Sequence, residues 1–322
     1  WEVDSIWKNV TRLSSDDMLY TLLNPTLQKQ KTFTYKPEWK TSLVLGGNPF
    51  NIDLQVNHNN VQNDLYNNYK LDYLSTQDND HRRIYNNHTE HNTMVDATID
   101  YGYKYFKNDK YDGVFTPYVA FNHTYGNLSH PYYRLERMQE WSDALDWTKG
   151  SLGILPDGEW QAICFDNENS YYSKEKKQTG SVGMRLSHKL TGLKRGNIQF
   201  DADLGAVLQY KHLDYQRNEQ SYDIDRHAYS FRPTLTMEYR SNGKHKWSPE
   251  LRLNYTGKQQ LPNLLNMLQI EDNADPLNLF RGNASLQGIY AHQLAFRYGM
   301  NQRESGHSTY ISVNTMKLRL GK

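Results

Sequence analysis

The sequence predicts an all-β protein, an antiparallel transmembrane β-barrel with short turns at one rim and long loops at the other. Two observations lead to this fold class. Apolar and polar residues alternate over long stretches, and aromatic residues are abundant although the mean hydropathy is only −0.88. The chain has 25 Tyr, 10 Phe and 7 Trp among its 322 residues. A barrel explains both, because only one face is apolar and aromatic girdles mark its two membrane interfaces.

The alternation has a period of two residues, as in β-strands. Residues 95–105 place Val95, Ala97 and Ile99 on one face, with Asp96 and Asp100 on the other. The same pattern recurs in residues 198–212, 229–240 and 247–255, and weaker copies cover residues 31–45, 50–58, 113–126, 180–191, 286–299 and 308–320. We therefore expect about ten strands, several of them longer than the ~9–11 residues that cross a bilayer.

The connections between these strands alternate in length. Short ones are expected at residues 46–49, 107–112, 191–197, 241–246 and 301–306, and long ones at residues 59–92, 127–179, 213–227 and 257–285. Outer-membrane barrels have short periplasmic turns and long extracellular loops. A soluble β-sandwich is the alternative, but its strands average only about 5–6 residues. We treat residues 1–322 as a single, partial barrel domain.

Several classes of protein are disfavoured by the composition. No run of about 20 apolar residues is present, as a membrane-spanning helix would need, and the net charge of +1 gives no basic excess for nucleic acid. A single cysteine, Cys164, leaves no internal disulfide and no Cys-based zinc site. No G-x-S-x-G, H-E-x-x-H or phosphate-binding glycine loop is present, so we expect neither an enzyme nor a cofactor.

Charged residues within the strands fix which face meets lipid. A charge facing lipid near the membrane centre costs about 2–4 kcal/mol, so the charged positions must face the lumen. These predicted lumen-facing residues are Asp96, Asp100, Arg185, Asp201, Asp203, Arg232, Glu238, Arg240 and Arg252. They line either a solvated wall or a path for a ligand.

Two polar or aromatic loops carry candidate binding residues. In residues 78–91, Asp78, Asp80, His81, His88, Glu90 and His91 could hold Zn, Cu or Ni. Nothing in their spacing preorganises them, so a polar surface loop is favoured and no metal site is expected. In residues 127–179, aromatic rings could stack on a sugar or another flat ligand, and the candidates are Trp141, Trp147, Trp160, Tyr132 and Tyr133. Packing of these rings onto the barrel mouth is the favoured alternative.

Two short helices are also expected in connecting segments. Leu135, Met138, Trp141 and Leu145 recur at helical spacing. Ser14 or Ser15 before residues 16–23, followed by Asn24-Pro25, has the pattern of a helix cap and stop.

Residues 261–286 read LPNLLNMLQIEDNADPLNLFRGNASL. This stretch resembles a late-barrel loop of TonB-dependent receptors, in which a Pro, a short apolar helix and a D-x-x-D-P-L-x-x-x-x-G-N-P motif precede a strand. In the family this motif continues as x-L-K-P-E. The residues that match are Asp272, Asp275, Pro276, Leu277, Gly282, Asn283 and Leu286, whereas Ala284 stands where the family prefers Pro and Gln287-Gly288 where it prefers Lys-Pro.

The resemblance implies a location in the Gram-negative outer membrane and a larger 22-stranded barrel of which this chain is a part. It implies import of a large or scarce nutrient, such as a glycan, a siderophore or haem complex, or a peptide. The expected partners are outer-membrane lipid, the TonB complex acting through a plug outside this stretch, and a surface lipoprotein. The chain begins at Trp1 and lacks a terminal aromatic residue, which also predicts a piece of a longer protein.

Two other functions stay open. A barrel that does not transport could act as an adhesin or as a docking scaffold for a surface lipoprotein. A soluble β-rich binding module is the third, and it predicts a protein that remains in solution without detergent.

Overall fold

The computed structural model describes residues 19–73, 80–108, 110–193, 195–241, 247–272, 280–302 and 307–320. Within them, the main sheet has 14 antiparallel strands, and a second sheet has two. The first strands are β1 (Leu19–Leu23), β2 (Thr26–Tyr35), β3 (Glu38–Leu45), β4 (Asn48–Tyr73), β5 (Asp80–Tyr101), β6 (Tyr103–Lys107), β7 (Tyr111–His130) and β8 (Tyr132–Arg134). The later strands are β9 (Tyr171–Leu193), β10 (Gly196–Arg217), β11 (Gln220–Ser241), β12 (Trp247–Gln260), β13 (Glu271–Asp272), β14 (Phe280–Arg281), β15 (Ile289–Gln302) and β16 (Ser308–Leu320). The predicted all-β antiparallel architecture is confirmed.

The 14 strands lie along ten parallel lines of the sheet, here called staves, because some strands follow one another on the same line. β1, β2 and β3 all pair with β4, and they are separated only at Pro25 and Pro37. Proline lacks the N–H that a ladder needs, but the carbonyl oxygens of Pro25 and Pro37 still accept bonds from Asn68 and Val56 of β4. Likewise β6 continues β5 beyond Gly102, and β8 continues β7 beyond Pro131. The expected number of about ten strands therefore holds for these staves.

The sheet is open. Its path runs from β1 to β16, and within the described residues these two edges do not pair with each other. Closure into a barrel, and the total of 22 strands, therefore stay predictions.

Two of the predicted loops are wrong. β4 and β5 remain paired as far as Leu71 and Asp80, through most of residues 59–92. β10 and β11 remain paired as far as Arg217 and Gln220, through nearly all of residues 213–227. In both hairpins the outer-face apolar alternation stops where the strands leave the membrane, because the apolar residues there, such as Leu71 and Leu213, lie on the inner face instead, while the backbone ladder continues. The outer-face pattern of the sequence is lost in these segments, although the strands themselves continue.

The other connections agree better with the sequence. Residues 135–170 and 261–288 form long connections between strands, and Gly46-Gly47 closes β3 onto β4 with positive φ at both residues, as a two-residue hairpin requires. The expected helix near Trp141 is present as α1 (Gln139–Asp143) after a 3-10 turn at Leu135–Arg137. The helix expected over residues 16–23 is wrong for Leu19–Leu23, which forms β1, and residues 16–18 lie outside the described part. Pairing with β4 outweighs the local cap-and-stop pattern there.

The strands separate an apolar face from a polar one. The outer face carries Ile99, Val119, Val182, Phe231 and Leu253, among other exposed apolar side chains. The inner face carries the charged residues predicted to line the lumen. β4 has 26 residues, about 85 Å at ~3.3 Å per residue, so at a tilt of about 45° roughly half of it projects beyond the hydrocarbon. We assign the projecting ends to the extracellular side, because the long connections lie there.

Buried packing is concentrated in these projecting ends, since a single-layered wall has no interior of its own. One cluster joins Tyr66 and Tyr85 to Leu135, Trp160 and Cys164, the last two from α2 (Trp160–Cys164). The other joins Leu213 and Tyr215 of β10 to Leu264, Met267 and Leu268.

The face assignment makes a testable prediction about Leu253, which lies on the outer face of β12. We expect Leu253→Arg to lower the free energy of unfolding by about 2–4 kcal/mol, because the guanidinium would face hydrocarbon. The neighbouring Asn254→Arg is the matched control, since that side chain is on the inner face, and it should cost much less. Urea unfolding in lipid vesicles measures both, and equal losses would contradict the assignment.

Candidate functional site on the inner face of the sheet

The structure brings the nine predicted lumen-facing residues onto the inner face. Register places Asp203 beside Arg185 and Glu238 beside Arg252 on neighbouring strands. Asp96 and Asp100 belong to the same face of β5, two strands further along. Charges of both signs therefore form one continuous field across β5 to β12. Whether a ligand passes along this field stays a prediction.

Tyr118 of β7 lies at the centre of this field and is only 4% exposed. Its hydroxyl donates to the Asp203 carboxylate over 2.8 Å and accepts from Nη2 of Arg232 over 3.4 Å. The guanidinium of Arg185 lies over the ring, 4.7 Å from its centroid, and pairs with Asp100 at 3.5 Å. One tyrosine therefore joins charges carried by four other strands.

Two glycines make room for this ring. The Tyr118 ring extends across β9 and β10 above Gly183 and Gly205, which are paired in register. A Cβ at either glycine would lie 2.7 Å from the Tyr118 hydroxyl oxygen, and at Gly183 also 2.6 Å from the Leu204 carbonyl oxygen. Real Cβ atoms do not approach so closely, so both positions require glycine. The sequence alone did not identify Tyr118. The feature that could have indicated a large ring there is the pair of glycines on the polar face of adjacent strands.

Neutral side chains hold the other carboxylates of the inner face. Asn51 donates to Asp100 over 2.7 Å, and Ser187 donates to Asp201 over 2.6 Å. Arg240 contacts Glu238 on its own strand, and Glu250 on β12 at 3.6 Å. Hydrogen-bonded charges lose less on leaving water than isolated charges do. The inner face is thus an ordered polar wall.

Closer to the extracellular end, a row of rings follows the inner face. It runs His88–His130–Tyr171–Tyr215–Tyr222, with centroid separations of 5.6, 4.5, 5.4 and 6.3 Å. These residues lie on five strands, and cross-strand aromatic pairs of this kind stabilise a sheet. No single segment of the sequence contains the row, so the sequence analysis could not find it.

Residues 261–268, together with Leu286, fold onto this end of the inner face. Leu264 and Met267 are buried against Leu213 and Tyr215 of β10. The ammonium of Lys211 donates to the Leu261 and Pro262 carbonyl oxygens over 3.3 and 3.0 Å. Burial lowers the pKa of Lys211, with the nearby Lys177 acting in the same direction. This connection covers part of the inner face from above.

Residues 135–170 pack on the opposite side, against the extracellular part of the outer face. Arg83 of β5 is fully buried there, and its guanidinium donates to the Ser142 hydroxyl over 2.9 Å and to the Leu145 carbonyl oxygen over 2.6 Å. Its Cζ lies 4.1 Å from the Trp147 ring centroid. Burial lowers the pKa of Arg83 and raises the pKa of the Tyr85 phenol nearby.

The five candidate ligand-binding aromatics all belong to this segment or to β8 just before it. Trp160 and Tyr132 are buried, and burial raises the pKa of Tyr132. Tyr133 packs edge-on against Trp160 at 5.1 Å, and Trp141 packs against the same cluster. These ring faces therefore contact protein. Binding of a ligand by them stays a prediction.

Residues 192–317 match the model of the outer membrane protein beta-barrel family. This match, over somewhat more than a third of the chain, supports an outer-membrane β-barrel. The match and the antiparallel sheet together place the chain in the outer membrane of a Gram-negative cell. No curated protein matches the chain. In the part of the chain that the structure describes, no helix is long and apolar enough to cross a membrane.

The late-barrel motif of this outer-membrane protein has a structural role at two of its positions. Asn283 donates its backbone N–H to the Asn266 carbonyl oxygen over 2.8 Å. A Cβ at Gly282 would lie 1.7 Å from the Leu268 carbonyl oxygen, so no other residue fits. Asp272 lies in β13 and pairs with Phe280. Asp275, Pro276 and Leu277 lie outside the described residues.

The structure does not bring the histidines of residues 80–91 together on one face. His88 and His91 belong to β5, where alternation puts them on opposite faces. His81 instead bonds to Asp72 over 2.7 Å, and this bond lowers the pKa of Asp72. Across the described ranges, the one group with suitable spacing is His212, Asp223 and Asp225, whose ligand atoms lie within 4.8 Å of one another on the outer face. Asp78 lies outside the described residues.

The glycine positions beneath Tyr118 allow a matched comparison. We expect Gly183→Ala to lower the free energy of unfolding by about 1–3 kcal/mol, because the added methyl displaces the tyrosine. Gly180→Ala, on the same strand, should be neutral or slightly stabilising, because a Cβ there meets nothing within 4 Å. Urea unfolding in vesicles compares the two. Equal stability of both variants would show that the close approach of Tyr118 to Gly183 does not constrain the sheet.

The Tyr118 hydroxyl is tested separately from its ring. Tyr118→Phe keeps the ring above the glycines but removes the bonds to Asp203 and Arg232, and should cost about 1.5–3 kcal/mol, the range for bonds to charged groups. Tyr133→Phe is the control, because no hydrogen bond of its hydroxyl supports the inner face. A Tyr118→Phe protein as stable as the control would contradict the central role of this hydroxyl.

Proposed function

We propose that this chain forms part of the barrel wall of a TonB-dependent receptor that imports a nutrient too large or too scarce for passive channels. The cargo classes are a glycan, a siderophore or haem complex, and a peptide. The observation that carries the proposal is the ordered inner face, where charges of both signs on β5, β10 and β11 are held in place by Tyr118 and by neutral donors. A wall of this kind offers many hydrogen-bonding positions to a polar solute along one path.

Two further observations support import. In the connection at residues 261–288, residues 261–268 fold onto the extracellular end of this wall, as a cover over a passage would. The same connection carries the motif that resembles a late loop of TonB-dependent receptors, with Gly282 and Asn283 at its docking point. In this proposal, energy from the TonB complex acts on a plug supplied by sequence outside the 322 residues.

The test uses cells that carry the complete gene, its deletion, or the deletion complemented by the gene. Each strain is supplied with one labelled nutrient class at a time, with and without functional TonB. We expect deletion to abolish uptake of one class by at least tenfold, and loss of TonB to reproduce that defect. Complementation should restore uptake only where TonB is present.

A scaffold without transport is the second candidate. It is favoured by the projecting strands and by the connection at residues 135–170, which is anchored rigidly on the outer side through Arg83. Unchanged uptake of every class after deletion, together with loss of adhesion or of a surface lipoprotein, would replace import with this function. Uptake that persists without TonB would indicate a passive channel.

A further inference from the structure

The outer face contains a shallow apolar groove of about 700 Å³ across β7, β9, β10 and β11. Its floor is made by small residues, Gly180 and Ala206. Its two sides are formed by Phe121 on β7 and by Tyr229 and Phe231 on β11. The Tyr229 side chain is 81% exposed. Strand register brings Phe121, Gly180, Leu208 and Tyr229 into one row across the sheet, so the groove lies between two aromatic ridges.

The groove lies at the extracellular end of the hydrocarbon. Gly180 is 13 residues from Leu193, where β9 ends at a short turn. At ~3.3 Å per residue and a tilt of about 45°, this distance spans roughly 30 Å of the membrane, the full hydrocarbon thickness. Immediately above, the outer face becomes polar, with Gln178 bonded to His123 over 3.4 Å. The occupant of the groove therefore belongs to the outer leaflet.

Two lysines stand above the groove on the same face of β9. Lys176 and Lys174 follow Gly180 and Gln178 in the alternation, and both are exposed. Lys176 is about 13 Å above Gly180 along the strand, within the zone that flexible lysine side chains reach from a membrane surface. Neither lysine forms an ion pair with another residue of the described ranges. Their charges are thus available to an anion.

We propose that this groove binds an acyl chain of a phosphorylated glycolipid of the outer leaflet, with the lipid phosphate held by Lys174 and Lys176. The outer leaflet of this membrane is rich in such lipids, and the site matches their two parts in the right order. Apolar small residues between aromatic ridges accept the chain within the hydrocarbon. The lysines accept the phosphate at the head-group level, where basic clusters attract anionic lipids.

Carboxylates on the neighbouring strands limit where the phosphate can lie. Asp214 is in register with Lys174, and Asp223 and Asp225 are on β11 beyond it. Asp225 accepts bonds from the Tyr210 hydroxyl over 2.8 Å and from His212 over 3.0 Å, which confine it to the β10–β11 hairpin. The phosphate is therefore directed towards β9 and β7, away from β11. Asp214→Asn removes the repulsion nearest to Lys174 and should tighten lipid binding.

The experiment is native mass spectrometry of the complete protein extracted from outer membranes in mild detergent. We expect the wild-type protein to retain phosphorylated glycolipid. Lys174→Ala/Lys176→Ala should weaken retention by about fivefold per lysine, roughly 25-fold for the pair. Gly180→Leu should reduce retention by filling the groove, since nothing lies within 4 Å of a Cβ at Gly180. Lys31→Ala is the matched control, an exposed lysine on the same face of β2, and should change nothing.

Heat-dependent gel mobility verifies that each variant is folded. The lysine pair lies outside the membrane, so it tests the site even if Gly180→Leu fails to assemble. Retention equal to wild type in the folded lysine variant overturns the proposal. So does retention of an ordinary glycerophospholipid in place of the phosphorylated glycolipid, or an equal loss in Lys31→Ala. These outcomes are independent of whether the protein imports a nutrient.

Discussion

Every backbone N–H and C=O of this wall must find a partner within the sheet, because hydrocarbon offers none. That requirement forces long, continuous ladders within the membrane, and the same pairing continues past the prolines in the projecting ends. Pro25, Pro37 and Pro131 each interrupt a stave, yet β4 and β5 continue unbroken opposite them. The carbonyl oxygens of Pro25 and Pro37 remain within the ladder. Once the ladder is complete, side-chain alternation alone decides which residues meet lipid.

A wall one strand thick has no buried core to set its register, so the inner face must provide other contacts between strands. Tyr118 does so by lying across Gly183 and Gly205 and by bonding to Asp203 and Arg232. A slip of one residue on β9 or β10 would replace a glycine by a larger residue beneath the ring and turn charges towards lipid. The polar residues of the inner face therefore also fix the strand register. A substitution among them changes both the polar surface and the register.

The sequence was informative where the environment differs on the two faces of a strand. Val95, Ala97 and Ile99 against Asp96 and Asp100 define a membrane-facing strand without further help. Above the membrane, residues 59–73 of β4 place buried residues such as Tyr69 and Leu71 on the inner face and Tyr66 on the outer face, so the outer-face alternation is lost although pairing continues. Leu19–Leu23 became a strand through contacts with β4 that local capping rules cannot describe. The sequence predicted only part of the candidate site. It assigned the charges to one face, whereas the contacts of Tyr118 and the row of rings from His88 to Tyr222 depend on the register between distant segments.

The two long connections differ in how they are held to the sheet. Residues 135–170 lie on the outer side and hold the fully buried Arg83. Releasing them would leave a guanidinium without its acceptors, which is costly, so this connection is a fixed support. Residues 261–268 lie on the inner side and are held by apolar contacts with Leu213 and Tyr215 and by the Lys211 ammonium. If the Lys211 ammonium separates from these carbonyl oxygens, water hydrates it again, so its charge is not left without partners. The outer connection is therefore fixed through a buried charge, and the inner one through apolar contacts and one lysine.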